Sequence, residues 1–177
     1  MNITVYCGAS AGSEPIYAQK ASELGQWLAA HGITLVYGGG RTGLMGKLAN
    51  AVLANGGKAI GVIPEFLKTA EEVHTGLTQL ITVDTMSQRK DTMLQMGDAF
   101  IALPGGAGTL EEIAEVMSKV SLKQLDAPCI LYNLNGYYNG LKTLLDHMIE
   151  TGLSTKERQE GIWFAENLEQ IKQILKA

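Results

Sequence analysis

The sequence of 177 residues has no run of about 18 consecutive apolar residues, so we expect no membrane-spanning helix. It has no excess of basic residues either, because its formal net charge is −4, which argues against nucleic acid as the main partner. The N-terminal stretch MNITVYCGAS lacks the basic and apolar segments of a signal peptide, and we expect none. Charged residues make up 18% and hydrophobic residues 46%, a balance typical of a globular protein.

Cysteine and histidine are also rare. Cys7 and Cys129 lie in apolar runs, so we expect both to be reduced core residues of a cytoplasmic protein. The histidines at positions 31, 74 and 147 lie too far apart for the spacing of metal ligands. We therefore expect neither a metal nor a cofactor.

What the sequence does contain is an alternation of short apolar runs and helical patterns. The predicted strands are Ile3–Cys7, Thr34–Tyr37, Ala59–Ile63, Phe100–Leu103, Ile130–Tyr132 and Ile162–Phe164, with Leu80–Val83 as a candidate seventh. The predicted helices are Pro15–Ala30, about Leu44–Ala54, about Met86–Met96, a helix ending near Val120, about Tyr138–Glu150 and a last helix, while Glu65–Thr78 is predicted as a loop or short helix. Continuous apolar strands alternating with helices predict an α/β fold, a single Rossmann-like, doubly wound domain over residues 1–177 with a mostly parallel sheet.

Three strand-to-helix junctions are rich in glycine: residues 8–13, 38–46 and 105–109. Such junctions meet at the carboxyl edge of a parallel sheet, where ligands bind. Glycine allows close approach of a ligand, and free N–H groups at a helix start favour a phosphate; tight turns without a ligand are the alternative. The candidate phosphate contacts are Gly39, Gly40, Gly105, Gly106, Ala107, Gly108 and Thr109.

The second loop also matches the dinucleotide fingerprint G-x-G-x-x-G through Gly38, Gly40 and Gly43. Glu65 lies near the distance expected of a ribose-binding acid, although it follows Pro64 at the probable strand end. A dinucleotide site therefore stays open as an alternative.

Two cations share a helix face with methionines. At 100° per residue, Met86, Arg89, Lys90 and Met93 lie on one side of the predicted helix, which should face inward. A cation facing a core needs a carboxylate or an anionic ligand. A structural ion pair, or buried stems with charged heads that reach water, would explain the pattern equally well.

Two adjacent acids follow the third glycine loop. Thr109 and Glu112 fit the capping box T-x-x-E, with Thr109 as the N-cap residue. The preceding glycines suggest a second interpretation, in which the loop holds a phosphate and one glutamate faces a centre that becomes positive during reaction. Glu111 and Glu112 point about 100° apart, so we expect them to differ in role.

Together these motifs resemble the LOG family, the cytokinin riboside 5′-monophosphate phosphoribohydrolases. The resemblance runs from Cys7 to at least Asn139 and is carried by P-G-G-x-G-T-x-x-E at Pro104–Glu112, the pair Arg89-Lys90 within MSQRK, GGGRTGLMG, GVIP and NGYYN. It implies hydrolysis of the N-glycosidic bond of an adenosine-type 5′-monophosphate to free base and ribose 5-phosphate. No sequence feature supports the pyridoxal phosphate site that a lysine decarboxylase label on some relatives would require.

The resemblance also implies roles for individual residues. Arg89 and Glu112 occupy the catalytic positions, while Lys90, Glu111 and the loop from Gly105 to Thr109 occupy substrate-contacting positions. A further substrate-contacting glutamate falls at Glu71, with Glu72 as its rival. We expect a homodimer and note that the methionine-rich helix offers surface for a subunit contact. A nucleotide-binding module without turnover remains the alternative function.

Overall fold

The computed structural model describes residues 1–69 and 72–176, and its strands all belong to one sheet. The strands are β1 (Asn2–Tyr6), β2 (Thr34–Tyr37), β3 (Ala59–Pro64), β4 (Gln79–Val83), β5 (Ala99–Ala102), β6 (Cys129–Tyr132) and β7 (Ile162–Ala165). The helices are α1 (Pro15–Ala30), α2 (Gly43–Ala54), α3 (Met86–Met96), α4 (Ala107–Ser121), α5 (Asn139–Glu150) and α6 (Leu168–Leu175). The predicted α/β class is confirmed.

The sheet has the order β4-β3-β2-β1-β5-β6-β7, and every neighbouring pair is parallel. Strand order reverses between β1 and β5, where Tyr6 pairs with Ala102 at the carboxyl ends. In such sheets the loops diverge at the reversal and leave a crevice for a ligand. The first and third glycine loops, which follow β1 and β5, therefore lie side by side there.

The sheet is covered on both faces, as its continuous apolar strands predicted. On one face α1, α2 and α6 contribute Leu24, Leu48 and Ile171 to a core. On the other face α3, α4 and α5 contribute residues such as Met93 and Ile113 to a second core. Within the described residues, no helix is both long and apolar enough to cross a membrane.

The capping prediction for α4 is wrong. The helix begins at Ala107, its N-cap residue is Gly106, and no side chain caps it. Thr109 is buried and lies against Gly105, where an added Cβ would collide with its hydroxyl. Because the helix starts earlier than the box requires, Glu112 lies in its second turn and has no capping role.

The closest helix contact in the first core gives a stability test. A Cβ on Gly25 of α1 would lie 2.6 Å from the Leu48 carbonyl oxygen and 2.9 Å from Ala51 Cβ on α2. We expect Gly25→Ala to lower the free energy of unfolding by about 1–3 kcal/mol, since a backbone carbonyl cannot move cheaply. Gly140→Ala is the matched control, because nothing lies within 4 Å of its added Cβ and alanine favours a helix by up to about 1 kcal/mol. Urea denaturation measures both, and a Gly25→Ala protein as stable as the parent would contradict the close contact.

Candidate active site

A cleft of about 250 Å³ opens at the carboxyl ends of β1, β2 and β5. Each glycine loop contributes backbone to it, through Gly8, Gly38 and Gly106. Its charged lining consists of Arg89, Glu111 and Glu112. The structure therefore brings both predicted catalytic residues and part of the predicted phosphate loop into one cleft.

Arg89 is held by two backbone carbonyls, one within β3 and one directly after β2. Its side chain is 4% exposed, Nε donates to the Val62 carbonyl at 3.0 Å, and Nη2 donates to the Gly38 carbonyl at 2.6 Å. Gly38 has to be a glycine here, because an added Cβ would collide with the guanidinium. These contacts fix the planar cation at the cleft wall, as predicted from its inward position on α3.

Glu112 faces the cleft from α4, beside two protonated side chains. Burial, and then the Glu112 carboxylate, raises the pKa of Tyr6. Burial and Glu112 also raise the pKa of the Cys7 thiol, and Arg89 opposes that rise only in part. At neutral pH both groups are therefore neutral, which makes the Cys7 thiol a poor nucleophile.

The third glycine loop presents unused amide groups. Within the described part of the chain, no acceptor lies in hydrogen-bonding position to the amide N–H groups of residues 105–109, and the first helical bond runs from Leu110 N to Gly106 O. Gly106 and Gly108 line the cleft, while Ala107 is exposed at the helix start. Free N–H groups at the start of a 15-residue helix form a site for an anion.

Amide groups at the start of α2, by contrast, already donate hydrogen bonds within the protein. The amides of Leu44 and Met45 donate to the Gly8 carbonyl at 3.1 and 3.4 Å, and a Cβ on Gly43 would collide with the Ala9 carbonyl. A dinucleotide fingerprint needs this helix start for its pyrophosphate. Glu65, the candidate ribose acid, is exposed and pairs with a nearby lysine. The structure argues against the dinucleotide alternative.

Comparisons with known proteins identify the family of this chain. A family model described as possible lysine decarboxylase matches residues 45–175. The cytokinin riboside 5′-monophosphate phosphoribohydrolase of Rhodococcoides fascians is 44% identical over 169 residues, which is 95% of this chain and 85% of the relative. A protein of the same name from Arabidopsis thaliana is 40% identical over 173 residues, or 98% of this chain and 81% of the relative. The chain belongs to the LOG family.

Solved structures with low sequence identity to this chain share its fold. The molybdenum cofactor carrier protein of Chlamydomonas reinhardtii has a TM-score of 0.73 at 23% identity, over 99% of this chain and 98% of that chain. The molybdenum cofactor binding protein of Rippkaea orientalis has a TM-score of 0.71 at 22% identity, over 99% of this chain and 94% of that chain. At such identities the likeness shows the fold alone.

The description of the family model does not fit this LOG cleft. A pyridoxal phosphate enzyme needs a lysine to form a Schiff base with the cofactor. Among the described residues, no lysine lines the cleft. The nearest candidate, Lys90, instead donates to Glu111 at 2.9 Å and lies 3.3 Å from a Glu115 oxygen. The residues present therefore do not fit that cofactor.

Lys90 lies beside the cleft rather than in its lining. Its pair with Glu111 and Glu115 ties α3 to α4, and the hydrogen bond to Glu111 raises the pKa of Lys90. Glu111 lines the cleft but keeps 61% of its side chain exposed. The predicted substrate contact of Lys90 stays a prediction.

The second glycine loop supplies Gly38 to the lining instead of the predicted Gly39 and Gly40. Gly39 has a φ of +83°, its carbonyl accepts from His74 N at 2.9 Å, and the Gly40 carbonyl accepts from the Tyr37 hydroxyl at 3.0 Å. Both glycines are buried, so they shape the loop behind the lining residue. Their predicted substrate contacts stay predictions.

Of the two candidates for the glutamate predicted after GVIP, only Glu72 lies within the described residues. Glu71 lies outside the described residues. Its rival Glu72 is exposed, and its carboxylate accepts from Arg41 Nε at 2.9 Å. Glu72 is absent from the lining of the cleft formed by the described residues.

The sequence analysis missed the apolar part of the lining. Its largest side chains are Tyr6, Met45, Met86 and Met93, and only the last two were noted, as neighbours of Arg89 on one helix face. Tyr6 had a usable signal, since it ends a strand immediately before a glycine loop. Met45 had none, because its approach to the cleft depends on how α2 packs against the first loop.

Proposed function

We propose that the chain hydrolyses the N-glycosidic bond of adenosine-type, N6-modified nucleoside 5′-monophosphates to free base and ribose 5-phosphate. The observation that carries this proposal is one cleft that combines unused amide groups on the third glycine loop with Arg89 and Glu112 on its walls. The names of the LOG relatives support the same substrate class.

The charges of the cleft explain how a phosphate can bind beside two acids. The lining carries Arg89 against Glu111 and Glu112, so side chains alone give no positive excess. Lys90 compensates Glu111 from outside the lining. The phosphate must therefore rely on the backbone N–H groups and the start of α4, which attract an anion without adding a titratable charge.

Glu112 then acts at the sugar. The bond from C1′ to the base nitrogen breaks, its electron pair leaves with the base, and the ribose gains oxocarbenium character. The carboxylate stabilises that charge and accepts a proton from the water that attacks C1′. The departing base takes a proton from solvent, so that the sum of the steps adds one water across the broken bond. Arg89, held by Val62 and Gly38, orients the substrate or the carboxylate. The apolar lining from Tyr6, Met86 and Met93 suits the flat face of a base.

Incubation of the purified protein with AMP, an N6-isopentenyl analogue of AMP and adenosine tests the function. We expect free base from both nucleotides and much slower release from adenosine, since remote phosphate binding positions C1′ for reaction. Chromatography of the released base measures this. Nucleotide binding without any release of base would instead support a binding module.

Glutamine variants test the roles of the two acids. Since Glu112 has no capping role, Glu112→Gln should keep the melting temperature and nucleotide binding while kcat falls roughly 100-fold or more. Glu111→Gln, the matched control one residue away, loses one of the two carboxylates that pair with Lys90 and should raise KM more than it lowers kcat. An active Glu112→Gln enzyme would overturn the assignment of the catalytic glutamate.

We also propose a homodimer, formed through α4 and α5 rather than through the methionines of α3. Met93 is 1% exposed inside its own core and cannot supply a subunit contact, while a contact through the rest of the helix Met86–Met96 stays a prediction. Leu110 and Leu144 are 47% and 50% exposed, and Leu141, three residues before Leu144, lines a shallow apolar hollow that also includes Leu110.

Light scattering at micromolar concentration tests the dimer. We expect a mass of twice the 19.0 kDa chain. Leu144→Asp should shift the mass toward the monomer, since it places a charge in an apolar contact. Leu153→Asp is the control, because Leu153 is 80% exposed and lies beyond the end of α5, outside the proposed contact. A monomeric parent protein would contradict the proposal.

We further propose a cytoplasmic location, which the two buried, unpaired cysteines support.

A further inference from the structure

Three consecutive carbonyl groups, of residues 103–105, lead from β5 into the third glycine loop, and each accepts a hydrogen bond from another segment. The Leu103 carbonyl accepts from the Tyr138 hydroxyl at 2.7 Å. The Pro104 carbonyl accepts from Gly8 N at 3.1 Å, and the Gly105 carbonyl accepts from the Tyr137 hydroxyl at 2.5 Å. Two of these three donors come from the segment that follows β6, within the motif NGYYN.

The segment that carries the two tyrosines is itself fixed. Asn133 is 6% exposed, its Oδ1 accepts from Tyr138 N at 2.6 Å, and its Nδ2 donates to Asn139 Oδ1 at 2.8 Å. Asn135 adopts a φ of +49° and donates from Nδ2 to Glu14 Oε2 at 2.8 Å. The tyrosine hydroxyls therefore act on the loop from an anchored support.

Peptide geometry connects these carbonyls to the phosphate site. In a trans peptide, the C=O of one residue and the N–H of the next point in opposite directions within one plane. The bond from Tyr137 to the Gly105 carbonyl thus orients the N–H of Gly106, which lines the cleft. The hydrogen bonds to the Leu103 and Pro104 carbonyls fix the backbone that leads into this peptide.

Glycine makes such a support necessary. Gly105 and Gly106 have many accessible backbone conformations, so their amides lose more entropy on ordering than those of other residues. We propose that Tyr137 and Tyr138 are positioning residues that hold the amide groups of the third glycine loop in the orientation that binds the 5′-phosphate. This inference rests on the proposed function, because it assigns the loop to the phosphate of that substrate.

Tyr137→Phe is the decisive variant. Tyr137 is 44% exposed, and its ring contacts with Tyr17 and Tyr138 remain in phenylalanine, so only the hydroxyl is lost. We expect kcat/KM for AMP to fall by about 3- to 10-fold, the effect of one hydrogen bond, while kcat/KM for adenosine stays unchanged. The dissociation constant of ribose 5-phosphate, measured by calorimetry without turnover, should rise by a similar factor.

Tyr132→Phe is the matched control. Its hydroxyl is buried in β6, and within the described part of the chain it has no hydrogen-bond partner. The ratio of kcat/KM for AMP to that for adenosine should stay at the parent value. Tyr138→Phe should lower that ratio as Tyr137→Phe does, and if its buried change prevents folding, Tyr137→Phe alone decides.

The outcomes separate this inference from the proposed function. A Tyr137→Phe protein that loses activity on AMP and adenosine equally, or on neither, overturns the positioning role. A parent protein that releases no base, yet binds ribose 5-phosphate more tightly than its Tyr137→Phe variant, refutes the proposed reaction and supports the inference. A parent protein that does not bind ribose 5-phosphate overturns the inference.

Discussion

The backbone of Gly8 connects the three glycine loops, and the arrangement of the site depends on it. Its N–H donates to the Pro104 carbonyl, and its own carbonyl accepts from the amides of Leu44 and Met45. A side chain here would press on the Ser10 carbonyl at 3.0 Å and the Gly105 Cα at 3.4 Å. One residue thus joins the loop after β5 to the start of α2, at the point where strand order reverses.

This connection decides which helix start is available to a ligand. The first turn of α2 is satisfied internally by Gly8, whereas the first turn of α4 keeps its amides free within the described part of the chain. Two glycine-rich helix starts that look equivalent in sequence therefore differ in use. An anion would have to displace a protein carbonyl at α2, while at α4 it finds donors that the fold has already ordered.

Much of the fold could be predicted from the sequence because it rests on local patterns. Apolar runs and helical periods gave the order of strands and helices, and the inward face of α3 gave Arg89 its place at the cleft. The start of α4 was missed because Thr109 fits a capping box locally, yet its side chain is used under Gly105. The ion pairs of Lys90 with α4 depend on contacts across 21 residues or more, which a local pattern does not contain.

The fold alone does not decide between carrying a ligand and cleaving it, since proteins described as cofactor carriers share this architecture at 23% identity or less. In the proposed function, two successive positions of α4 make this distinction. Because they point about 100° apart, Glu111 reaches Lys90 while Glu112 turns toward the protonated Tyr6 and Cys7. The first charge is compensated by a cation outside the cleft lining. In the proposed function, Glu112 lies with Arg89 in the lining of the cleft that also includes the start of α4, and its carboxylate acts on the positive charge that develops on the ribose.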